Sequence, residues 1–320
     1  MMPEWLASQV LAVLVAWLID LWLGEPSPRW HPVVWIGRYL QRAGDWLQAD
    51  ARAEGDDWRV FWRGAAAWGL GAGVVVLLAL LVQLLLSWLP WTWTGVLLGV
   101  LLKPLFSWRM LADEVAAVET ALAQSLHDGQ QQLARIVSRD VTVLDAVQVR
   151  ESALESLSEN LNDSVIAPLF WFLLLGLPGA ALFRFADTAD SMWGYRGVYR
   201  GKRWEWAGKW AAKVDDWLAW LPARLTGIGL LLAAWPRRLR LSALRQQAAQ
   251  TPSPNSGWPM AALALALDVQ LRKPGVYTLH ADGVQAQPGH VPQAIRLAQR
   301  AIAIVLTGWL ALALLTGIFT

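Results

Sequence analysis

Residues 65–89 read AAAWGLGAGVVVLLALLVQLLLSWL, a run with no charged side chain. As a helix rising 1.5 Å per residue it is about 37 Å long, more than the roughly 30 Å hydrocarbon core of a bilayer. Apolar residues surround its axis on every side, and such a helix is surrounded by lipid or by protein, never by water. Working outward, Leu6–Leu23 is a second spanning candidate with one charge, Asp20, near its end. It lacks a basic leader and a small-residue cleavage site, so it reads as a retained helix and not a signal peptide. Gly95–Phe106 returns after a short turn at Pro90–Thr94, and Ala301–Phe319 is the last clear span. Tryptophans flank these runs, among them Trp5, Trp22, Trp88, Trp91, Trp93 and Trp309, as expected where helices meet the membrane–water boundary.

Composition agrees. The chain of 320 residues is 56% hydrophobic and 16% charged, with mean hydropathy +0.35, too apolar for an ordinary soluble protein. The fold expected is all-α: a single polytopic membrane-embedded domain over residues 1–320, with about four spanning helices and a helical active-site region on the cytoplasmic side. A net charge of +2 gives no general polyanion-binding field. No basic stripe with interleaved aromatics or finger spacing points to nucleic acid. The absence of cysteine excludes disulfides, thiolate metal sites and Cys nucleophiles. Gly-x-x-x-x-Gly-Lys, Gly-x-Gly-x-x-Gly and His-Glu-x-x-His are missing too.

Two apolar segments are ambiguous. Residues 165–185 are broken by Gly176-Leu177-Pro178-Gly179, and 225–235 are short and follow Pro222 and Arg224. Each either spans or re-enters one face, the latter tolerable only inside protein or a water-filled cavity. The Arg/Lys-rich segments 29–63, 196–213 and 237–245 all fall on the cytoplasmic side if neither ambiguous segment crosses. The polar loops are then 24–63, 107–164, 186–224 and 236–300.

Into this apolar background falls an acidic ladder, Glu151, Glu155, Glu159 and Asp163, at a spacing of four. Such positions share one helix face, where like charges repel. The ladder is a solvated face, or it holds a divalent cation, Arg/Lys partners or a cationic substrate group. Arg139 in Ser138-Arg139-Asp140 pairs with that ladder or grips a phosphate. In Arg184–Arg196, helical spacing puts Arg184, Asp187, Asp190 and Ser191 on one face. Two carboxylates with hydroxyls suit a magnesium ion bridged to a nucleotide phosphate. Asp20, Glu25 and His31 gather around the end of the first span as cation or phosphate-ligand candidates, against a purely structural role for His31. The basic residues of 199–203 and 209–213 meet phosphate or lipid headgroups. Asp215-Asp216 leads toward Arg224, and Ser253-Pro254-Asn255 is a rigid turn or a ligand loop.

Taken in order, these strings resemble the adenosylcobinamide-phosphate synthase family of cobalamin biosynthesis, the CobD/CbiB family. They are Asp20 with Gly24-Glu25-Pro26 and His31-Pro32-Val33; Ser138-Arg139-Asp140-Val141; and Glu155-Ser156, Glu159-Asn160, Asp163 and Ala167-Pro168-Leu169-Phe170. Further on come Thr188, Asp190-Ser191-Met192 and Gly194-Tyr195-Arg196; Asp215-Asp216 with Pro222-Ala223-Arg224-Leu225; and Ser253-Pro254-Asn255 with Trp258. The resemblance covers nearly the whole chain. Asp187 stands where the family usually has Asn, Ser164 where Gly follows the Asp, Ala219 in place of an Asn, and Glu25 where Asp is common.

The resemblance implies a ligase in the bacterial cytoplasmic (inner) membrane, its active site facing the cytoplasm. It would join aminopropanol, or its phosphate ester, to the free propionate of adenosylcobyric acid, using ATP and Mg²⁺. It implies Glu155, Glu159, Asp163, Asp187 and Asp190 as metal or base residues, with Glu159, Asp163, Asp187 and Asp190 for Mg²⁺. Arg139, Arg196 and Arg224 are implied for phosphate or corrin carboxylates. Asp20, Glu25, His31, Ser191, Tyr195, Asp215, Asp216, Ser253 and Asn255 complete the expected substrate contacts. The partners implied are the corrinoid, the amine and the lipid bilayer, with a homo-oligomer left open. The alternative is a non-catalytic membrane sensor related to the β-lactamase-induction family. A transporter would want inverted repeats and mid-span charges, and neither is visible.

Overall fold

The computed structural model describes residues 3–49, 55–199, 201–237 and 240–317, with the side chains of 49 and 313–317 outside the description. Arg200, Arg238 and the end of the expected last span at 318–319 also lie outside the described residues. The helices are α1 (Glu4–Leu23), α2 (Pro32–Ala49), α3 (Trp58–Leu86), α4 (Trp91–Leu102), α5 (Trp108–Leu122), α6 (Leu126–Leu133) and α7 (Ala146–Leu161). They continue with α8 (Ala167–Leu175), α9 (Leu177–Trp193), α10 (Lys209–Ala233), α11 (Leu241–Ala248), α12 (Gly257–Leu267) and α13 (His290–Gly317). Two small antiparallel hairpins interrupt them, β1 (Val198–Tyr199) with β2 (Lys202–Arg203), and β3 (Leu271–Lys273) with β4 (Tyr277–Leu279). The sequence pattern did not announce these hairpins, since two- and three-residue strands leave no alternation to read.

Four helical stretches among the described residues are long and apolar enough to cross a membrane: Glu4–Leu23, Trp58–Leu86, Trp91–Leu122 and His290–Leu312. The chain is an all-α polytopic membrane protein. Two boundaries differ from expectation. Residues 91–94 are not a turn but the first turn of α4, entered from Pro90, and the Thr94 hydroxyl donates to the carbonyls of Leu86 and Leu89 (2.8 and 3.2 Å). Proline cannot donate a backbone N–H, so it sits comfortably just ahead of a helix. The last helix begins at His290, well before Ala301, because the polar residues 290–300 continue the helical register. Neither ambiguous segment is among the four long stretches. Residues 165–185 divide at Gly176 into α8 and α9, and 225–233 form the end of α10. Gly176 adopts φ 70°, which glycine tolerates best. The Leu177 N–H freed by the break donates to the Gln83 side chain at 2.7 Å. Gln83, with Ser87 one of two polar residues of the 65–89 run, thus satisfies backbone that lipid could not.

The chain divides into two compact units: Met1–Ser107 with Ala167–Leu218, and Trp108–Ile166 with Ala219–Thr320. In the first, α1 packs on α4 through small residues. A side-chain carbon at Gly99 would lie 2.7 Å from the Ala12 carbonyl and from Val15 Cβ, and one at Gly95 would lie 2.9 Å from Leu11 and the Ser8 carbonyl. Such close backbone approach is how helices associate where no hydrophobic effect drives them. Gly99→Leu is therefore expected to cost about 2–3 kcal/mol by overpacking. A melt of detergent-solubilised protein followed by tryptophan fluorescence measures this, and an unchanged midpoint would refute it. Beside this pair, α2 and α3 pack on α9 around Leu40, Trp68, Phe185 and Trp193. The Trp193 indole donates to the Leu40 carbonyl at 3.2 Å and stacks on Trp204.

The second unit is built on α7, which packs against α5, α6, α12, α13 and β3. Asp145 and Gln148 form a reciprocal capping box at its start. Every residue from Glu151 to Ser158 is buried. A π-helical turn, Asn162–Ile166, follows.

Candidate functional site

In the first unit, α1 ends at Gly24, whose φ of 71° turns the chain out of the span. The turn places Asp20, Glu25 and His31 around a residue that the sequence reading missed, Lys103. The Lys103 side chain is 2% exposed and that of Asp20 is 0% exposed, with the ammonium 3.1 Å from Asp20 and 2.8 Å from Glu25. Lys103 also donates to the Phe106 carbonyl at 3.2 Å. His31 Nε2 lies 3.2 Å from the second Glu25 oxygen. The Val33 N–H points at His31 Nδ1 at 3.3 Å, which assigns the ring proton to Nε2. Burial pushes the Glu25 carboxyl up, but hydrogen bonds from His31, Lys103 and Ser107 outweigh it and hold it at about 2.

A depressed acid contributes stability above its unfolded value and loses it as the pH falls. The Glu25 contribution should therefore disappear between the ordinary value of 4.5 and about 2. Melting temperature against pH should fall across that window in the native protein and fall less in Glu25→Gln. Equal slopes would refute the arrangement. Glu25 and Lys103 also close one end of an otherwise apolar cavity of about 760 Å³ lined by residues of α2, α3, α4 and α9.

Further along the same unit, α9 does place Arg184, Asp187, Asp190 and Ser191 at helical spacing. Arg184 and Asp187 pair with each other at 3.0 Å. Burial pushes the Asp187 carboxyl up and Arg184 opposes it. Thr188 donates to the Arg184 carbonyl. The Asp190 carboxylate folds over Gly194, where a side-chain carbon would come within 1.9 Å of Oδ1. Ser191 and Arg196 are exposed, and Tyr195 stacks on Tyr199 with centroids 3.6 Å apart. Asp215 and Asp216 are half-buried on α10. Burial raises the Asp216 carboxyl, and the nearby charge of Arg196 opposes it.

In the second unit the ladder divides by burial. Glu151, 0% exposed, receives a bidentate pair of bonds from Arg272 at 3.0–3.2 Å. Glu155, 2% exposed, is held by Arg139 at 2.8 Å, and Arg139 also donates to Ser152. Burial pushes both carboxyls up against the pull of their guanidinium partners. Both are thus taken by arginine, and a solvated acidic face does not describe them. Glu159 is exposed and Asp163 half-buried, accepting from the Asn162 amide at 2.7 Å. Asn162 in turn accepts from Thr226 at 3.1 Å.

Arg224 donates to Asn255, to the Pro254 carbonyl and to the Trp220 carbonyl, between the rings of Trp220 and Trp258. The Ser253 hydroxyl accepts from the N–H groups of Asn255 and Ser256. Arg224, Ser253 and Asn255 together order the turn that starts α12. Tyr277, missed in the sequence, is a further neighbour of Glu155, and burial with that charge raises its hydroxyl.

Among the described residues no three His, Asp or Glu side chains converge as a ready-made metal site. Mg²⁺ commonly takes only one or two carboxylates and completes its shell with water and substrate phosphate. Glu159 and Asp163, at the accessible end of the ladder, fit that requirement better than Glu151 and Glu155, which arginines already occupy.

The helices and the polar clusters of each unit define a membrane protein that concentrates carboxylates and guanidinium groups in apolar surroundings. Residues 13–305 match the family described as CobD/CbiB protein, and the chain belongs to that family. It is 39% identical to the cobalamin biosynthesis protein CobD of Stutzerimonas stutzeri over 95% of this chain and 99% of the relative. It is 38% identical to the protein of that name in Rhodobacter capsulatus (91% and 93%). Identity is 37% to the probable cobalamin biosynthesis protein CobD of Methanothermobacter thermautotrophicus (85% and 87%). No solved structure matches the chain.

Proposed function

We propose that the protein is an amide ligase of late cobalamin biosynthesis in the bacterial inner membrane, with its polar sites on the cytoplasmic side. It would join aminopropanol, or its O-phosphate, to the free propionate of adenosylcobyric acid at the expense of ATP. The observation that carries this reading is the family match across residues 13–305, with relatives named for cobalamin biosynthesis.

Chemistry supports the same assignment. A carboxylate does not condense with an amine in water without activation. Transfer of the γ-phosphoryl group to the propionate gives an acyl phosphate and ADP. Attack by the amine then forms the C–N bond, and inorganic phosphate leaves with the C–O bond electrons. Glu159 and Asp163 would hold Mg²⁺, which supplies charge shielding for the phosphates. The proton that the amine gives up would pass to the solvent that reaches the exposed Glu159.

Purified protein in detergent with adenosylcobyric acid, aminopropanol phosphate, ATP and Mg²⁺ should yield product of the amide mass. ATP hydrolysis should require both organic substrates, and Asp163→Asn should lower product strongly. Absence of product with either amine form, from protein that still binds corrinoid, would overturn the reading.

A further inference from the structure

The cavity of the first unit has an uneven chemistry. One wall is a single face of α3, Gly71, Val74, Val75, Leu78, Ala79 and Val82, positions that helical periodicity aligns. At 1.5 Å per residue this stripe runs about 16 Å along the helix axis. It belongs to a membrane-spanning helix that is mostly unburied, and Leu78 is 58% exposed, so the cavity opens sideways where acyl chains surround the protein. Its polar end is different. Glu25 and Lys103 line it there, and the exposed indoles of Trp30 and Trp35 stand beside them.

Hydrogen-bond capacity decides what this end accepts. An ammonium has three donors, and that of Lys103 already faces Asp20, Glu25 and the Phe106 carbonyl. Glu25 accepts from His31, Lys103 and Ser107, while a carboxylate has about four acceptor positions, so one is left. Between them Glu25 and Lys103 therefore offer an acceptor position and no further donor. A ligand that fits has an apolar body and a head that donates.

We propose that this cavity holds a membrane lipid whose headgroup carries a primary ammonium, an acyl chain lying along the α3 stripe and the ammonium donating to Glu25. Arg29, on the same exposed loop, supplies a cation for the phosphate of such a headgroup. The inference is independent of the ligation chemistry, and failure of either leaves the other standing.

The test is native mass spectrometry of the full chain, delipidated in detergent and titrated with phosphatidylethanolamine, phosphatidylcholine or phosphatidylglycerol of identical chains. The choline head is cationic but has no N–H, and the glycerol head is not cationic. A charge-assisted hydrogen bond should favour the ethanolamine lipid by about tenfold over both. Glu25→Gln should remove that preference, and Val75→Trp, which obstructs the α3 stripe, should weaken retention of all three. Should Glu25→Gln fail to fold, the headgroup comparison on the native protein decides alone. Equal retention of the three lipids, or a preference that survives Glu25→Gln, would overturn the proposal. So would displacement of the ethanolamine lipid by 1-amino-2-propanol, which would make the cavity a site for the amine substrate.

Discussion

Lys103→Met should destabilise the protein by about 3–5 kcal/mol, because it leaves the buried carboxylate of Asp20 and the half-buried one of Glu25 without the ammonium between them. The side chain is 2% exposed, and Asp20 is 0% exposed, so water cannot take over the lost role. The expected phenotype is a steep fall in melting temperature with little correctly folded protein recovered. Asp20→Asn combined with Lys103→Met should restore part of the loss, since the charge left behind and not the missing alkyl chain is what costs. A double variant no more stable than Lys103→Met would show that packing of the lysine stem dominates. Replacing a buried pair together is commonly near neutral, whereas removing one partner is not.

Asp163→Asn should reduce amide formation per folded molecule by about 10²–10⁴, the range for loss of an acid–base or charge-shielding group. Glu151→Gln should do the reverse, because Glu151 is fully buried under Arg272. It should lower the melting temperature and leave turnover per folded molecule unchanged. The pair of variants separates the two halves of one acidic ladder, the half bound by arginine and the half to which the proposed ligation assigns Mg²⁺. If Glu151→Gln abolished turnover in folded protein while Asp163→Asn kept it, the assignment would have to be exchanged.

Much of the architecture was readable in advance because lipid imposes a coarse rule. A long uncharged run such as 65–89 has few alternatives to a spanning helix. The boundaries were harder to read. Tryptophan and threonine at 91–94 look like interface residues in sequence, yet Pro90 starts a helix there and the Thr94 hydroxyl ties it back to α3.

Parts of the sites were readable too. Asp20, Glu25 and His31 are brought together, and Arg139 does meet the ladder at Glu155. The partners that complete these clusters were not. Lys103 carried one usable signal, a lone charge closing the apolar run 95–106. Arg272 and Tyr277 carried none, since only tertiary folding brings β3 and β4 to α7. Arg224, expected to meet an anion, donates to the turn at Ser253–Asn255. Its planar group fits a carbonyl and two indole faces as well as it fits a phosphate.

The tether between Arg272 and Glu151 also sets an order of assembly. The two residues are separated by 121 positions. At roughly 5–20 residues per second a ribosome needs on the order of 6–24 s to traverse that interval. Throughout it the nascent chain holds a carboxylate destined for complete burial whose counter-charge has not yet been made. The body containing α7 can close only after the β3–β4 hairpin has been translated. The body ending at Leu218 has all its residues well before that point. Chains cut short before Arg272 would therefore keep Glu151 hydrated and its helix unpacked, which marks them for quality-control proteases while their N-terminal helices are already in the bilayer.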